Sequence, residues 1–164
     1  MHDDRLYRDA ELLRAELDRI GGRRGAVVLA NGVFDILHVG HVRYLRGAAS
    51  LGGILVVALN DDESTRRLKG AGRPIVPAEE RAEMLLELRA VDYVLIFNEP
   101  TVDRIIGMLR PAFHAKGSDY TVETVPERAT ARAVGCKTVI VGDAKDHASR
   151  DILRRIREGG TRGS

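Results

Sequence analysis

Five short runs of branched apolar residues alternate with amphipathic stretches along this chain, and that alternation leaves few folds open. The runs are AVVLA (26–30), ILVVALN (54–60), VDYVLIF (91–97), PAFHAK (111–116) and KTVIVG (137–142). Between them the apolar spacing predicts helices from about Gly40 to Leu51, through a polar stretch to about Leu68, and then near Ala78–Arg89, Val102–Leu109, Pro126–Val134 and Ser149–Arg157. Strands that are apolar on both faces must be covered on both faces. The expectation is therefore a single α/β domain built on an open, doubly wound, mostly parallel five-stranded sheet.

Ahead of that alternation, Leu6, Leu13, Leu17 and Ile20 fall at helical spacing among charges, which predicts an amphipathic docking helix over residues 3–20 that stops at Gly21-Gly22. The organisation expected is this N-terminal segment (1–24), one domain (25–158) and a disordered tail (159–164, GGTRGS). A chain of 164 residues can bury a core without staples, and its single cysteine, Cys136, excludes an internal disulfide. Cys136 is expected to pack in a strand, and one thiol fits a reducing cytosol. With 26 Lys+Arg against 24 Asp+Glu, evenly spread, nothing points to nucleic acid or a membrane surface as partner. The polar start MHDDRLYRDA and the lack of any apolar run near 18 residues give a cytoplasmic expectation.

Ligands of doubly wound sheets sit outside the carboxyl ends of the strands, near the point where strand order reverses. The polar segments 31–41, 60–62, 98–99, 116–120 and 142–150 all follow strands. The most informative is ANGVFDILHVGHVRYL (30–45), a strand running into a turn and then a helix opened by His38-x-Gly40-His41. Bare amides and the dipole at such a helix start favour an anion, Gly40 permits close approach, and two imidazoles three residues apart share one side of the first turn. A zinc site is disfavoured, because no HExxH is present and neither Cys nor carboxylate stands at ligand spacing. GxGxxG and GK[ST] are also absent.

Asn31, Gly32, Phe34, Asp35, His38, Gly40 and His41 together resemble the signature of the HxGH nucleotidyltransferases, the cytidylyltransferase-like superfamily, and the likeness extends over about residues 26–157. RRLKGAGRPIVPAEERAEML (66–85), VDYVLIFNE (91–99) and AKGSDY (115–120) are similar to the heptose 1-phosphate adenylyltransferases of that superfamily. The resemblance implies a Rossmann-like fold and a reaction in which ATP and a sugar 1-phosphate give an ADP-sugar and pyrophosphate. It implies His38, His41 and Lys69 as catalytic residues. Nucleotide binding would fall to Asn31, Gly32, Val33, Phe34, Gly40, Lys116, Gly117, Asp119, Ser149 and Arg150, alongside the two histidines. Sugar phosphate binding would fall to Asp35, Asn60, Asp62, Lys69, Arg73 and Arg81, with Arg81 also a candidate anchor inside the fold. Mg²⁺ is expected to arrive on the ATP phosphates, with no dedicated metal site, and a homodimer is implied.

Two departures stand out. The family commonly opens its last helix with an STT-like sequence, where this chain has His147-Ala148-Ser149-Arg150, and Gly52-Gly53 replaces a usual Gly-Asp. The rival readings are a cytidylyltransferase for an alcohol phosphate such as glycerol 3-phosphate, and a non-catalytic nucleotide-binding module.

Overall fold

The computed structural model describes residues 3–24, 26–143 and 148–159. His147 and residues 160–164 of the tail lie outside them. The elements in chain order are β1 (Leu6–Tyr7), α1 (Ala10–Arg24), β2 (Val27–Gly32), α2 (Val39–Ala49), β3 (Ile54–Asn60), α3 (Asp62–Lys69), α4 (Ala78–Leu86), β4 (Tyr93–Phe97), α5 (Asp103–Leu109), β5 (Phe113–Lys116), a 3-10 turn (Val122–Thr124), α6 (Arg128–Ala133), β6 (Lys137–Ile140) and α7 (Ser149–Arg157). The strands form one sheet in the order β1-β4-β3-β2-β5-β6, and every pairing is parallel. Strand order reverses between β2 and β5, so the crevice expected for a ligand opens at the carboxyl ends of those two strands.

The period-2 pattern explains why two helical layers are needed. Leu29, Val56, Ala58 and Leu95 face Leu13 and Leu17 of α1, Ile105, Ile106 and Leu109 of α5, and Ala131 of α6. Their neighbours Val28, Ala30, Val57, Leu59, Val94 and Ile96 face Leu45 and Ala48 of α2 and Ala82, Leu85 and Leu86 of α4. All seven residues of β3, the middle of the sheet, are buried. Each large side chain so placed contributes about 1.5–3 kcal/mol. Cys136, immediately before β6, is also buried, and burial pushes its thiol up to about 11, away from reactivity.

The N-terminal segment differs from expectation. Residues 3–20 are not one helix: Leu6 and Tyr7 form a sixth strand, paired with Val94 and Leu95 at the sheet edge, and α1 begins only at Ala10. A two-residue strand among charges carries no periodic signal, and its bonding partner lies nearly ninety residues away. At the other end α1 runs through Gly21 and Gly22 to Arg24. The turn at Gly52-Gly53 has a strict requirement, since Gly53 has φ +105° and a Cβ there would lie 1.8 Å from the Ala26 carbonyl oxygen.

Candidate active site

The site grows out of the turn that follows β2. Phe34 takes a left-handed conformation (φ 49°), which folds its ring back over Gly32, where a Cβ would sit 3.0 Å from the ring. From there the ring meets His41 at 5.1 Å and stacks on Tyr44 at 6.3 Å, and the Tyr44 hydroxyl donates to the Ala115 carbonyl at 2.7 Å. This packing ties the first turn of α2 to β5. His38 is the N-cap of α2, with Nδ1 accepting the Gly40 amide at 3.1 Å. Nδ1 is thus the acceptor, so the neutral ring carries its proton on Nε2. The His38 and His41 rings stack at 3.9 Å, which presents two imidazoles side by side at a helix start whose dipole favours an anion.

Asp35 is buried and accepts from the amides of Ile75 (2.8 Å) and Val76 (2.9 Å) and from the Arg73 guanidinium. Burial pushes its carboxyl up, but the amides of Val76 and Ile75 together with Arg73 outweigh burial and hold it below the usual carboxylate range. Asp35 therefore stays ionised and clamps the loop after α3 over the cleft, which brings Arg73 to the cleft wall.

Arg81 works behind that wall. Fully buried, it donates to the carbonyls of Val76, Val33 and Asn60 and to the Asp62 carboxylate, and so joins the ends of β2 and β3 to α4. Asp62 spends the same carboxylate oxygen on the Ala78 amide. Neither residue lines the cleft. Asn60 does, while its side chain donates to Ser64 Oγ, and it is Asp61 that caps α3.

The cleft occupies about 660 Å³ at the β2/β5 reversal. It is lined by Asn31, Gly32, Val33, Phe34, Asp35, His38, Gly40, His41, Asn60, Lys69, Arg73, Lys116, Gly117, Asp119, Ser149 and Arg150, which is every candidate catalytic or binding residue of the sequence apart from Asp62 and Arg81. Lys69 is the last residue of α3, exposed, with Gly70 (φ 94°) turning the chain beside it. The start of α7 joins the same cleft: Ala148 is its N-cap with no side-chain cap, Ser149 Oγ donates to the Ile36 carbonyl at 3.3 Å, and Arg150 is exposed. The first turns of α2 and α7 are thus held together over one volume.

Several polar residues were given no individual role from the sequence. His114, Tyr44, Arg43, Tyr120 and Glu127 surround this same region, the last four on the cleft wall. His114 is fully buried beneath it, with Nε2 2.9 Å from Asn31 Oδ1, and burial together with the Lys116 charge lowers its pKa to about 3. A neutral imidazole facing an amide oxygen must donate from Nε2. Lys116 Nζ lies 3.4 Å from the same oxygen and 4.5 Å from the Tyr120 ring centroid. Burial lowers the Lys116 pKa, against the pull of Glu127 and Asp119. A polar residue alternating with apolar ones in FHAK was the one available signal for His114.

A doubly wound sheet with paired imidazoles and a second helix start over its reversal point is the frame in which the HxGH signature of residues 31–41 sits. A profile of the cytidylyltransferase-like family matches residues 29–156. The chain belongs to that family of HxGH nucleotidyltransferases and is closely related to its heptose 1-phosphate adenylyltransferases. It is 46% identical over 134 residues to a D-beta-D-heptose 1-phosphate adenylyltransferase of Bordetella bronchiseptica, an alignment covering 81% of this chain and 83% of that protein. It is 43% identical over 154 residues to the bifunctional protein HldE of Syntrophotalea carbinolica, covering 93% of this chain and 31% of that protein. The chain thus spans about a third of the length of such bifunctional relatives. Among solved structures it superposes on the lipopolysaccharide core biosynthesis protein of Thermoplasma volcanium with a TM-score of 0.64 at 27% identity, over 73% of this chain and 98% of that one. Pantothenate synthetase of Thermus thermophilus, at 17% identity and TM-score 0.66, shares the fold over 94% of this chain and 70% of its own. No helix among the described residues is long and apolar enough to cross a membrane.

Proposed function

We propose that this chain transfers AMP from ATP to D-glycero-D-manno-heptose 1-phosphate, giving the ADP-sugar and pyrophosphate. The observation that carries the reading is the stacked His38–His41 pair at the start of α2, sharing one cleft with the start of α7, Lys69 and Lys116. The identity to a heptose 1-phosphate adenylyltransferase over most of both chains supports the choice of substrate.

The chemistry asks for positioning rather than for a base. An oxygen of the sugar phosphate, ionised at neutral pH because its second pKa is about 6, attacks the α-phosphorus of ATP. The bond to the oxygen bridging the α- and β-phosphorus breaks, and pyrophosphate leaves with the electron pair. What must be stabilised is charge on the α-phosphate and on the departing pyrophosphate. His38 Nε2 and the His41 ring donate to those oxygens, and the first-turn amides of α2 and α7 add their dipoles. Lys69 and Arg150, both exposed on the cleft, supply further cations. Arg73, held by Asp35, is a fixed cation for the acceptor phosphate, and Asn60 lines the same cleft. Asn31, Gly32, Val33, Phe34 and Gly40 shape the phosphate loop, while Lys116, Gly117 and Asp119 meet the nucleotide. Asp62 and Arg81 act as positioning residues. Mg²⁺ enters with ATP as part of the substrate and neutralises phosphate charge.

The test is a panel of ATP, CTP, GTP and UTP against heptose 1-phosphate, hexose 1-phosphates and glycerol 3-phosphate, read by pyrophosphate release and by the nucleotide-sugar formed. ATP with heptose 1-phosphate should be the best pair. Faster turnover of CTP with glycerol 3-phosphate would replace the assignment with the alcohol phosphate reading, and pyrophosphate from no pair would leave a binding module.

A further inference from the structure

The phosphate chemistry leaves part of the cleft unexplained. The paired histidines enter from the face covered by α2 and α4. On β5, Ala115 packs toward that face, so His114 and Lys116 point to the other, as does Asn31 next to Leu29 of β2. Glu127 immediately precedes α6, which covers that second face. Glu127 lines the cleft, is 4% exposed, and its Oε2 is buried with no hydrogen-bond partner among the described residues. Lys116, 6% exposed, feels Glu127 electrostatically, yet no ion pair joins the two among the described residues. Asn31 Oδ1 is taken by His114 and Lys116, which leaves its amide NH₂ as a donor.

A buried carboxylate oxygen without a donor asks for one from a ligand. A cationic ligand would be repelled by Lys116 and an anionic one by Glu127. A hydroxyl group donates and accepts at once and carries no charge, so it satisfies both walls. We propose that Glu127 and Lys116, with Asn31, form a subsite for neighbouring hydroxyls of a bound sugar, the Glu127 carboxylate accepting from one while Lys116 Nζ donates to the other. The inference rests on the sugar phosphate reading for which sugars are present, namely the ribose of the nucleotide and the acceptor.

Glu127→Gln, which keeps the shape, and Glu127→Ala are compared with the wild type in two arms. The first measures ATP, 2′-deoxy-ATP and 3′-deoxy-ATP binding by calorimetry and needs no turnover. The second measures KM and kcat for the heptose 1-phosphate. A subsite for ribose removes the discrimination against the deoxynucleotides, whereas a subsite for the acceptor raises its KM and leaves ATP binding alone. Either change should reach about 10- to 100-fold in the alanine variant, the scale of a charge-assisted hydrogen bond. Melting is followed in both variants and binding is measured well below the onset of unfolding, because either substitution also removes the negative charge that faces the buried Lys116. Values within twofold of wild type in both arms, or losses that merely follow a fall in melting temperature, overturn the proposal. A wild type that transfers no AMP would instead defeat the functional reading, and the ribose arm alone would then decide Glu127: retained discrimination overturns the subsite and lost discrimination supports it.

Discussion

Asp35 offers the most quantitative test of how the cleft is held together. Its buried carboxylate accepts from two amides and one guanidinium, all on the loop that follows α3. Asp35→Asn keeps one oxygen for the amides of Ile75 and Val76 and sets an NH₂ against Arg73 Nε, so it loses chiefly the charge-assisted bond, worth about 1.5–3 kcal/mol. Asp35→Ala loses all three and strands Arg73, which is mostly buried, at about 3–5 kcal/mol. For a domain of this size that is a fall in melting temperature on the order of 10 °C for the alanine variant. The pH dependence has a definite sign. The folded carboxyl lies below its unfolded value of about 3.9, so its stabilisation is complete above that pH and is lost as pH falls below it. The gap between wild type and Asp35→Asn should therefore be full at neutral pH and close in acid. Thermal melts from pH 7 down to pH 3, with hydrogen exchange at the Ile75 and Val76 amides, measure both. Melting within 1 °C of wild type for Asp35→Ala, or unchanged exchange at those amides, would refute the clamp.

Three further outcomes are expected. His41→Ala should lower kcat by about 10² to 10³, the scale of one preorganised donor, with little change in ATP affinity; an unchanged kcat in the folded variant would make His41 structural. Arg150→Thr removes a cation from the uncapped start of α7, which should raise apo stability by about 0.3–1 kcal/mol while shrinking the ATP-induced rise in melting temperature; an identical rise in both proteins excludes the phosphate contact. Excess chelator should abolish pyrophosphate release, and full activity under those conditions would contradict transfer from a magnesium-bound ATP.

The layers of the fold were legible because they rest on local periodicity. Val28 and Leu29 differ by one residue and face opposite cores, and ILVVALN carries no polar residue before Asn60 because both faces of β3 are covered. The HxGH turn was legible for the same local reason, being contiguous in sequence. What escaped is long-range. Arg81 was a candidate anchor inside the fold, but its partners were not legible in AEERAEML, because the carbonyls of Val33 and Asn60 and the Asp62 carboxylate come together only where the β2 and β3 ends meet α4. Lys116 was a candidate by resemblance, but Glu127 lies eleven positions further on in a charged stretch, and nothing local to either residue shows that both are buried beside the cleft. Leu6 and Tyr7 became a strand because β4 offered an edge.

Transfer of AMP, as against transfer or hydrolysis of the terminal phosphate, is tested most directly by following two labels. ATP carrying radioactive phosphorus at the α position or at the γ position is incubated with heptose 1-phosphate, Mg²⁺ and the protein, and products are separated. The α label should move into the sugar nucleotide and the γ label into pyrophosphate, in equal amounts. Label from the γ position in the sugar product or in free phosphate, with the α label left in ADP, would contradict attack at the α-phosphorus and with it the role given to His38 and His41.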